Sequence, residues 1–255
     1  MAEPIFVDTD NALGSPGGDV DDGFAIAALI GARLAIAGVG ACAGNTSAEL
    51  AHRNNRRLCG LLGFGGPVLP AGEARAFLRS FTGRAAALGP LSHLAEARSV
   101  REVVAVGGTL HGPGRWPPVF PHEFNLTFDL RATLAVFHSD VPLTIVPLDV
   151  ARTLWVRWAD LEALANPFGE LARRESRRWF RHLLWARQTR RFAIYDLAAA
   201  FYLIGGEGMT VEETTAEMRP NSWIGFGRGT RAIRVCTALD REVLWRRFVR
   251  LVEPH

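Results

Sequence analysis

Apolar runs and amphipathic stretches alternate along this chain from its first residues, and no other feature limits its fold as much. Ile5–Val7 reads as a short buried strand, Asp22–Arg33 as a helix, and Leu34–Ala43 as a β-rich apolar run. Ser47–Leu62 reads as a second helix, with Asn54, Asn55 and Arg56 turned outward. Further strands are expected at Arg84–Leu88, Val103–Val106 and Leu143–Val146, with helices at Ser92–Ala97 and Leu130–His138 between them. The C-terminal third reads as an arginine-rich helix, a helix at Asp196–Ile204, a strand at Arg231–Leu239 and a last helix capped by Asp240. This β–α alternation predicts an α/β fold: a single doubly wound domain over 1–255 with a mostly parallel sheet and helices on both faces. The Gly- and Pro-rich stretches Gly14–Gly18, Gly63–Gly72 and Gly107–Pro121 read as loops rather than linkers, because core segments resume on either side.

A chain of 255 residues is long enough to bury a sizeable core. It carries 29 basic and 26 acidic residues for a net charge of +3, and since lysine is absent every basic residue is an arginine. Spread over a domain of this size, +3 is a weak signal for nucleic acid, which is disfavoured as a partner. With 48% hydrophobic and 22% charged residues, the composition excludes disorder as the dominant state. No apolar run approaches the ~18 residues of a membrane span. The opening MAEPIFVDTD lacks a basic stretch followed by an apolar one, so no secretory signal is expected. Cys42, Cys59 and Cys236 are odd in number and lack metal-ligand spacing; they read as buried reduced thiols of a cytoplasmic protein.

Function is signalled by local charge. Asp8, Asp10, Asp19, Asp21 and Asp22 all fall at the junction of the first strand and first helix. In an open parallel sheet this junction borders the crevice where ligands bind. Capping of the helix would account for one or two of these acids, not five. Five carboxylates so close repel one another unless a cation neutralises them, and several oxygen ligands converging from a loop suit Ca2+ better than Zn2+.

The segment VDTDNALGSPGGDVDDGFAIAAL resembles the N-terminal signature of the inosine–uridine-preferring nucleoside hydrolase family: Asp-x-Asp, a glycine loop, then Asp-Asp leading into a helix. Four further stretches resemble that family in its order: AGNTSAELAHRNNRRL, GPLSHLA beside the family's GPLTNLA, HEFNLTFDLRATLAVF followed by VPLTIVPLDV, and YDLAAAFYLI. The resemblance implies calcium-dependent hydrolysis of the N-glycosidic bond of ribonucleosides to free base and ribose, in purine or pyrimidine salvage. Asp10, Asp22, the Ser92 carbonyl and Asp196 would hold the ion, and Asp10 would also act as general base. Asp21, Asn45, Glu123 and Asn125 would bind the ribose hydroxyls, and Trp116 is a candidate to stack on the base. Asp8 and Asp19 would be supporting charges or loop formers. The resemblance also allows a homo-oligomer, dimer or tetramer.

The chain departs from the family at several points. Tyr195 stands where many members carry a histidine that donates to the leaving base, and an ordinary tyrosine pKa of about 10 is poorly matched to that task. His111, His122 and His182 are weaker candidates for a donor. The second functional reading is therefore a catalytically weakened ribose- or nucleoside-binding protein of the same fold. The loop between Asp10 and Asp21 is longer than usual, Pro70–Arg84 is contracted, and Arg115 lies near a position often held by asparagine. Finally Arg173, Arg174, Arg177, Arg178, Arg181, Arg187, Arg190 and Arg191 surround Trp179, Phe180, Leu183 and Leu184 at helical spacing. That pattern reads as one buried stripe with a solvated basic face, with binding of phosphate, nucleic acid or a partner subunit as the lesser reading.

Overall fold

The computed structural model describes residues 3–15, 18–110, 124–187, 191–218 and 224–253, and the side chains of 182–187 are not among those described. In chain order the elements are β1 (Ile5–Thr9), α1 (Asp21–Gly31), β2 (Ile36–Ala41), α2 (Ala48–Leu61), β3 (Val68–Leu69) and α3 (Ala71–Ser80). There follow β4 (Arg84–Ala87), a 3-10 turn (Leu91–Glu96), β5 (Glu102–Val106), α4 (Phe124–Phe128), α5 (Leu130–Phe137), β6 (Leu143–Val146) and α6 (Leu148–Ala151). Then come β7 (Trp155–Arg157), α7 (Trp158–Glu162), α8 (Pro167–Arg187), β8 (Arg191–Ala193) and α9 (Asp196–Leu203). The chain finishes with β9 (Met209–Met218), β10 (Ile224–Phe226), β11 (Arg231–Leu239) and α10 (Arg241–Val252).

Nine strands form one sheet in the order β10-β9-β11-β6-β5-β4-β1-β2-β3. Neighbours are parallel from β11 to β3, while the β11–β9 and β9–β10 pairings are antiparallel, so β9 alone runs against the rest of this sheet. Strand period sends alternate side chains to opposite faces. Ile5, Val7, Ala86, Val104, Val106 and Val146 enter a core shared with α1, α9 and α10. Phe6, Ala85, Ala87, Val103, Ala105 and Ile145 enter a second core shared with α3, α5 and the 3-10 turn. Both faces are thus covered, and the fold is the expected α/β class.

Sequence order explains where a ligand can sit. The chain builds β1, β2 and β3 to one side, then returns to place β4 on the other side of β1. The order reverses between β1 and β4, so the connections leaving these strands diverge and open a crevice at their carboxyl ends.

Three expectations are corrected. Asn54 and Asn55 do not face outward: they are 7% and 0% exposed, because the outer loop Asn11–Ser15 folds over this face of α2 and needs polar partners. The 63–72 stretch is not all loop, since it contains β3 and opens α3. The helix expected at Ser92–Ala97 is a 3-10 turn, Leu91–Glu96, entered directly from Pro90. The long strand β9 and helix α3 were not anticipated.

Candidate functional site

Strand β1 ends at Thr9, so Asp10 is the first residue to leave the sheet at the crevice. Glycines flank it on both sides. A Cβ on Gly44, after β2, would collide with the Asp10 carboxylate, and one on Gly89, after β4, would lie 3.0 Å from Asp10 Oδ1 and 2.9 Å from Cys42 Sγ. These two glycines let the loops close on Asp10, and the Asn45 N–H donates to Asp10 Oδ2 at 2.6 Å. The carboxylate is fully buried.

Helices α1 and α9 bring the remaining acids. Their N-termini meet beside Asp10: Asp21 and Asp22 occupy the first turn of α1, and Asp196 opens α9. Carboxylate oxygens of Asp21, Asp22 and Asp196 lie within 4.8 Å of one another, and all three residues are buried. Two helix N-termini aimed at one point supply partial positive charge that partly offsets the repulsion. The backbone N–H of Asp196 reaches Asp21 Oδ2 at 3.4 Å, and the Thr9 hydroxyl donates to Asp22 Oδ1.

These partners are too few. Asp10 Oδ1 and Asp22 Oδ2 are buried with no hydrogen-bond partner among the described residues. Burial pushes the Asp10 carboxyl up to about 7; the Asn45 N–H opposes this and the charge of Asp21 adds to it. Burial likewise pushes Asp21 up to about 6, against backbone N–H groups of Asp21, Asp196, Tyr195 and Asp22. Asp19, Asp22 and Asp196 rise well above the ordinary carboxylate range, from burial first and neighbouring acids second. Orphaned buried oxygens in a set of oxygen-only donors fit a hard divalent cation, which would satisfy them and reverse these shifts.

Asp8 turns away from this group. It projects from the other face of β1, where Asp8 Oδ1 meets His93 Nδ1 at 3.0 Å, both residues buried. Burial lowers the His93 pKa but the Asp8 hydrogen bond and charge outweigh it, so the imidazole is raised overall. Ser92 sits half-buried in the same 3-10 turn, three residues beyond the Gly89 that presses on Asp10. Asn45 has an exposed side chain at the crevice rim. Asn125, on α4, donates through Nδ2 to the carbonyls of Leu88 (3.1 Å) and Val106 (3.4 Å), just past β4 and at the end of β5. Tyr195 is half-buried at the N-cap of α9 and packs on the larger core. Asp19 is half-buried in the approach to α1. Glu123, Trp116, Arg115, His111 and His122 lie outside the described residues, as do Arg190 and the side chains of His182, Leu183, Leu184 and Arg187.

Asp21, read from the sequence as one of the clustered acids and given to the sugar by the resemblance, lies with Asp22 and Asp196 in the buried carboxylate group. Sequence reasoning missed Thr9, Gly44 and Gly89, for which the only signal was a small or hydroxyl residue beside each acidic or polar motif residue.

Comparison with known proteins places this geometry. The profile of the inosine-uridine preferring nucleoside hydrolase family matches residues 84–246. The chain belongs to this family. The matched span takes in Ser92, Glu123, Asn125 and Asp196, while Asp10, Asp21, Asp22 and Asn45 precede it. The family is generally metal-dependent, in keeping with the carboxylate group. The chain is 30% identical over 160 residues to a putative pyrimidine-specific ribonucleoside hydrolase RihB of Shigella boydii serotype 4 (strain Sb227), covering 55% of this chain and 62% of that protein. It is also 30% identical over 160 residues to the pyrimidine-specific ribonucleoside hydrolase RihB of Escherichia coli O17:K52:H18, covering 55% and 48%. The chain thus spans about half to three fifths of the length of these relatives. A solved plant nucleoside hydrolase, the PpNRh1 enzyme, superposes with a TM-score of 0.83 over 100% of both chains at 17% identity, which speaks for the fold. Among the described residues no helix is long and apolar enough to cross a membrane.

Proposed function

We propose that this chain hydrolyses the N-glycosidic bond of ribonucleosides to free base and ribose, using Ca2+ held by Asp10, Asp22, Asp196 and the Ser92 carbonyl. One observation carries the reading: two carboxylate oxygens, Asp10 Oδ1 and Asp22 Oδ2, are buried without partners where the N-termini of α1 and α9 meet. Breaking an N-glycosidic bond passes through an oxocarbenium-like transition state, so the site must deliver a nucleophile and tolerate positive charge on the sugar. When bound, the cation orients a water and lowers its pKa.

The chain's own residues do the rest. Asp10, fixed by the Asn45 N–H and the two flanking glycines, accepts the proton of the attacking water. The remaining buried carboxylate density favours the oxocarbenium charge. Asp21, Asn45, Glu123 and Asn125 hold the ribose hydroxyls at the attack geometry, with the Asn125 side chain anchored by its Nδ2 to the ends of two strands. Trp116 is assigned to the base and Tyr195 to proton donation to it.

The relatives' pyrimidine preference supports testing uridine and cytidine first, beside inosine. Ribose release from a nucleoside panel, with calcium and with chelator, tests the reading. Calcium-dependent release is expected; a chain that binds calcium and releases ribose from none of them contradicts it. The packing of Tyr195 at the start of α9 favours the second reading, a nucleoside-binding protein weak in turnover. Calorimetric binding of nucleoside without hydrolysis, with activity gained in Tyr195→His, is its signature.

A further inference from the structure

A second feature lies across the outer loop from the acids. Helix α8 turns Arg174, Arg177, Arg178 and Arg181 to solvent at i, i+3, i+4 and i+7 spacing. Glu175, the acid nearest them, is already engaged. Its Oε1 accepts from Arg57 Nη2 at 2.7 Å and from Arg174 Nε at 3.0 Å. Two guanidinium groups therefore share one carboxylate, and none of the ion pairs among the described residues uses Arg178.

Opposite this stripe stands the loop Asn11–Ser15, held rigidly. Asn54 Nδ2 donates to the Asn11 carbonyl at 2.8 Å and to Ser15 Oγ at 3.0 Å, while Asn11 Nδ2 donates to Asn55 Oδ1 at 3.0 Å. Gly14 takes φ +112°, which a side chain rarely adopts, and a Cβ there would lie 3.4 Å from Arg57 Nη1. The glycine thus lets bare backbone approach the arginines. Between loop and helix is a cavity of about 300 Å3 lined by Gly14, Gly18, Arg174, Glu175, Arg178 and Trp179. At ~30 Å3 for each water of liquid volume, this holds a tetrahedral oxyanion and part of its hydration.

We propose that this cavity binds a phosphate group. Guanidinium groups match phosphate oxygens in pairs and keep their charge at every physiological pH, and the cavity carries more arginine than its one acid neutralises. The residues that form it lie outside the carboxylate group, so occupancy does not depend on the cation. Two sources share the chemistry: free phosphate, and a phosphate ester of a ribose-containing molecule whose sugar would lie toward the acidic crevice at the other end of the same loop.

Calorimetry on the full chain in metal-free, low-salt buffer tests this, titrating inorganic phosphate, ribose 5-phosphate and ribose. Phosphate should bind the unaltered chain, and Arg178→Gln and Arg174→Gln should each weaken it about tenfold. Arg181→Gln, on the same stripe beyond the cavity lining, should bind phosphate as the unaltered chain does. Ribose 5-phosphate binding about tenfold tighter than phosphate assigns the ester; equal affinity assigns the free ion. Absence of phosphate binding below about 10 mM overturns the proposal. So does an equal loss in all three variants, which would reduce the effect to diffuse surface charge. Nucleoside turnover by Arg178→Gln should be unchanged, which separates this proposal from the hydrolase reading.

Discussion

The two ends of the central sheet bury carboxylates in opposite ways. At the amino ends of β4 and β5, Glu102 is 7% exposed, and every partner it needs is present. Its Oε1 accepts from Thr144 (2.7 Å), Tyr202 (2.9 Å) and Arg234 (2.7 Å), and its Oε2 from Arg84 (2.7 Å), tying together β4, β5, β6, β11 and α9. At the carboxyl ends, Asp10, Asp21, Asp22 and Asp196 are as deeply buried, have no arginine beside them among the described residues, and keep two oxygens without partners. A buried acid that is fully paired stabilises the fold. A group of buried acids that is not paired stores repulsion that a ligand can relieve.

The largest effect that separates these roles is on rate. Asp10→Asn keeps the shape of the side chain but removes the base, so ribose release should fall by about a thousandfold. Its metal-free melting temperature should hold or rise, since a charge is removed from a crowded group. A melting temperature far below that of the unaltered chain would assign Asp10 to the same structural role as Glu102.

Glu102→Ala is the converse. Removing the one acid of a buried ionic network leaves the Arg84 guanidinium without its ion pair and strips Tyr202 and Thr144 of their shared acceptor, and urea unfolding should show a loss of roughly 3 kcal/mol. Ribose release per folded molecule should be unchanged, and a selective loss of activity would break the comparison.

The pH dependence of stability should also distinguish the two ends. Asp10 and Asp21 have folded-state pKa values raised to about 7 and about 6, above the ~4 of an unfolded chain. Their protonated forms favour the fold, so the metal-free chain should be most stable near pH 4 with respect to these groups. It should lose a few kcal/mol as pH rises from about 4 to about 7. Calcium should flatten that decline. Melting curves at pH 4.5, 6 and 7.5, with and without calcium, check the sign; a rise in metal-free stability over this range contradicts it.

A smaller effect is expected at His93. His93→Leu leaves the Asp8 carboxylate buried without its partner and should cost about 1–2 kcal/mol in urea unfolding. His93→Asn, which retains a donor, should recover part of it.

How much of this was legible in the sequence depends on what each residue contacts. Strands β6 and β11 were read to the residue and β1 nearly so, because apolar runs bounded by polar or glycine residues have few other uses. Strand β9, MTVEETTAEM, was missed because it pairs beside β11 with mostly half-buried and exposed side chains and so carries no apolar run. Asn54 and Asn55 were turned the wrong way because a polar position on a helix signals solvent or a polar loop equally, and only the path of Asn11–Ser15 decides between them. The site divided along the same line. A local excess of aspartate marked the acids, and Asp240 was legible as a cap, whereas Ser47, read as the first residue of its helix, is the N-cap. The pressing of Gly44 and Gly89 against Asp10 depends on β2, β1 and β4 lying side by side, which no local pattern encodes.

Titration of calcium into the metal-free full chain by calorimetry at pH 7.5 tests the central claim most directly. One ion should bind per chain with release of protons, and Asp22→Asn should abolish or severely weaken the binding. Binding that is absent, or equal in Asp22→Asn, would contradict the assignment of the partnerless carboxylates at the meeting of α1 and α9 to a cation.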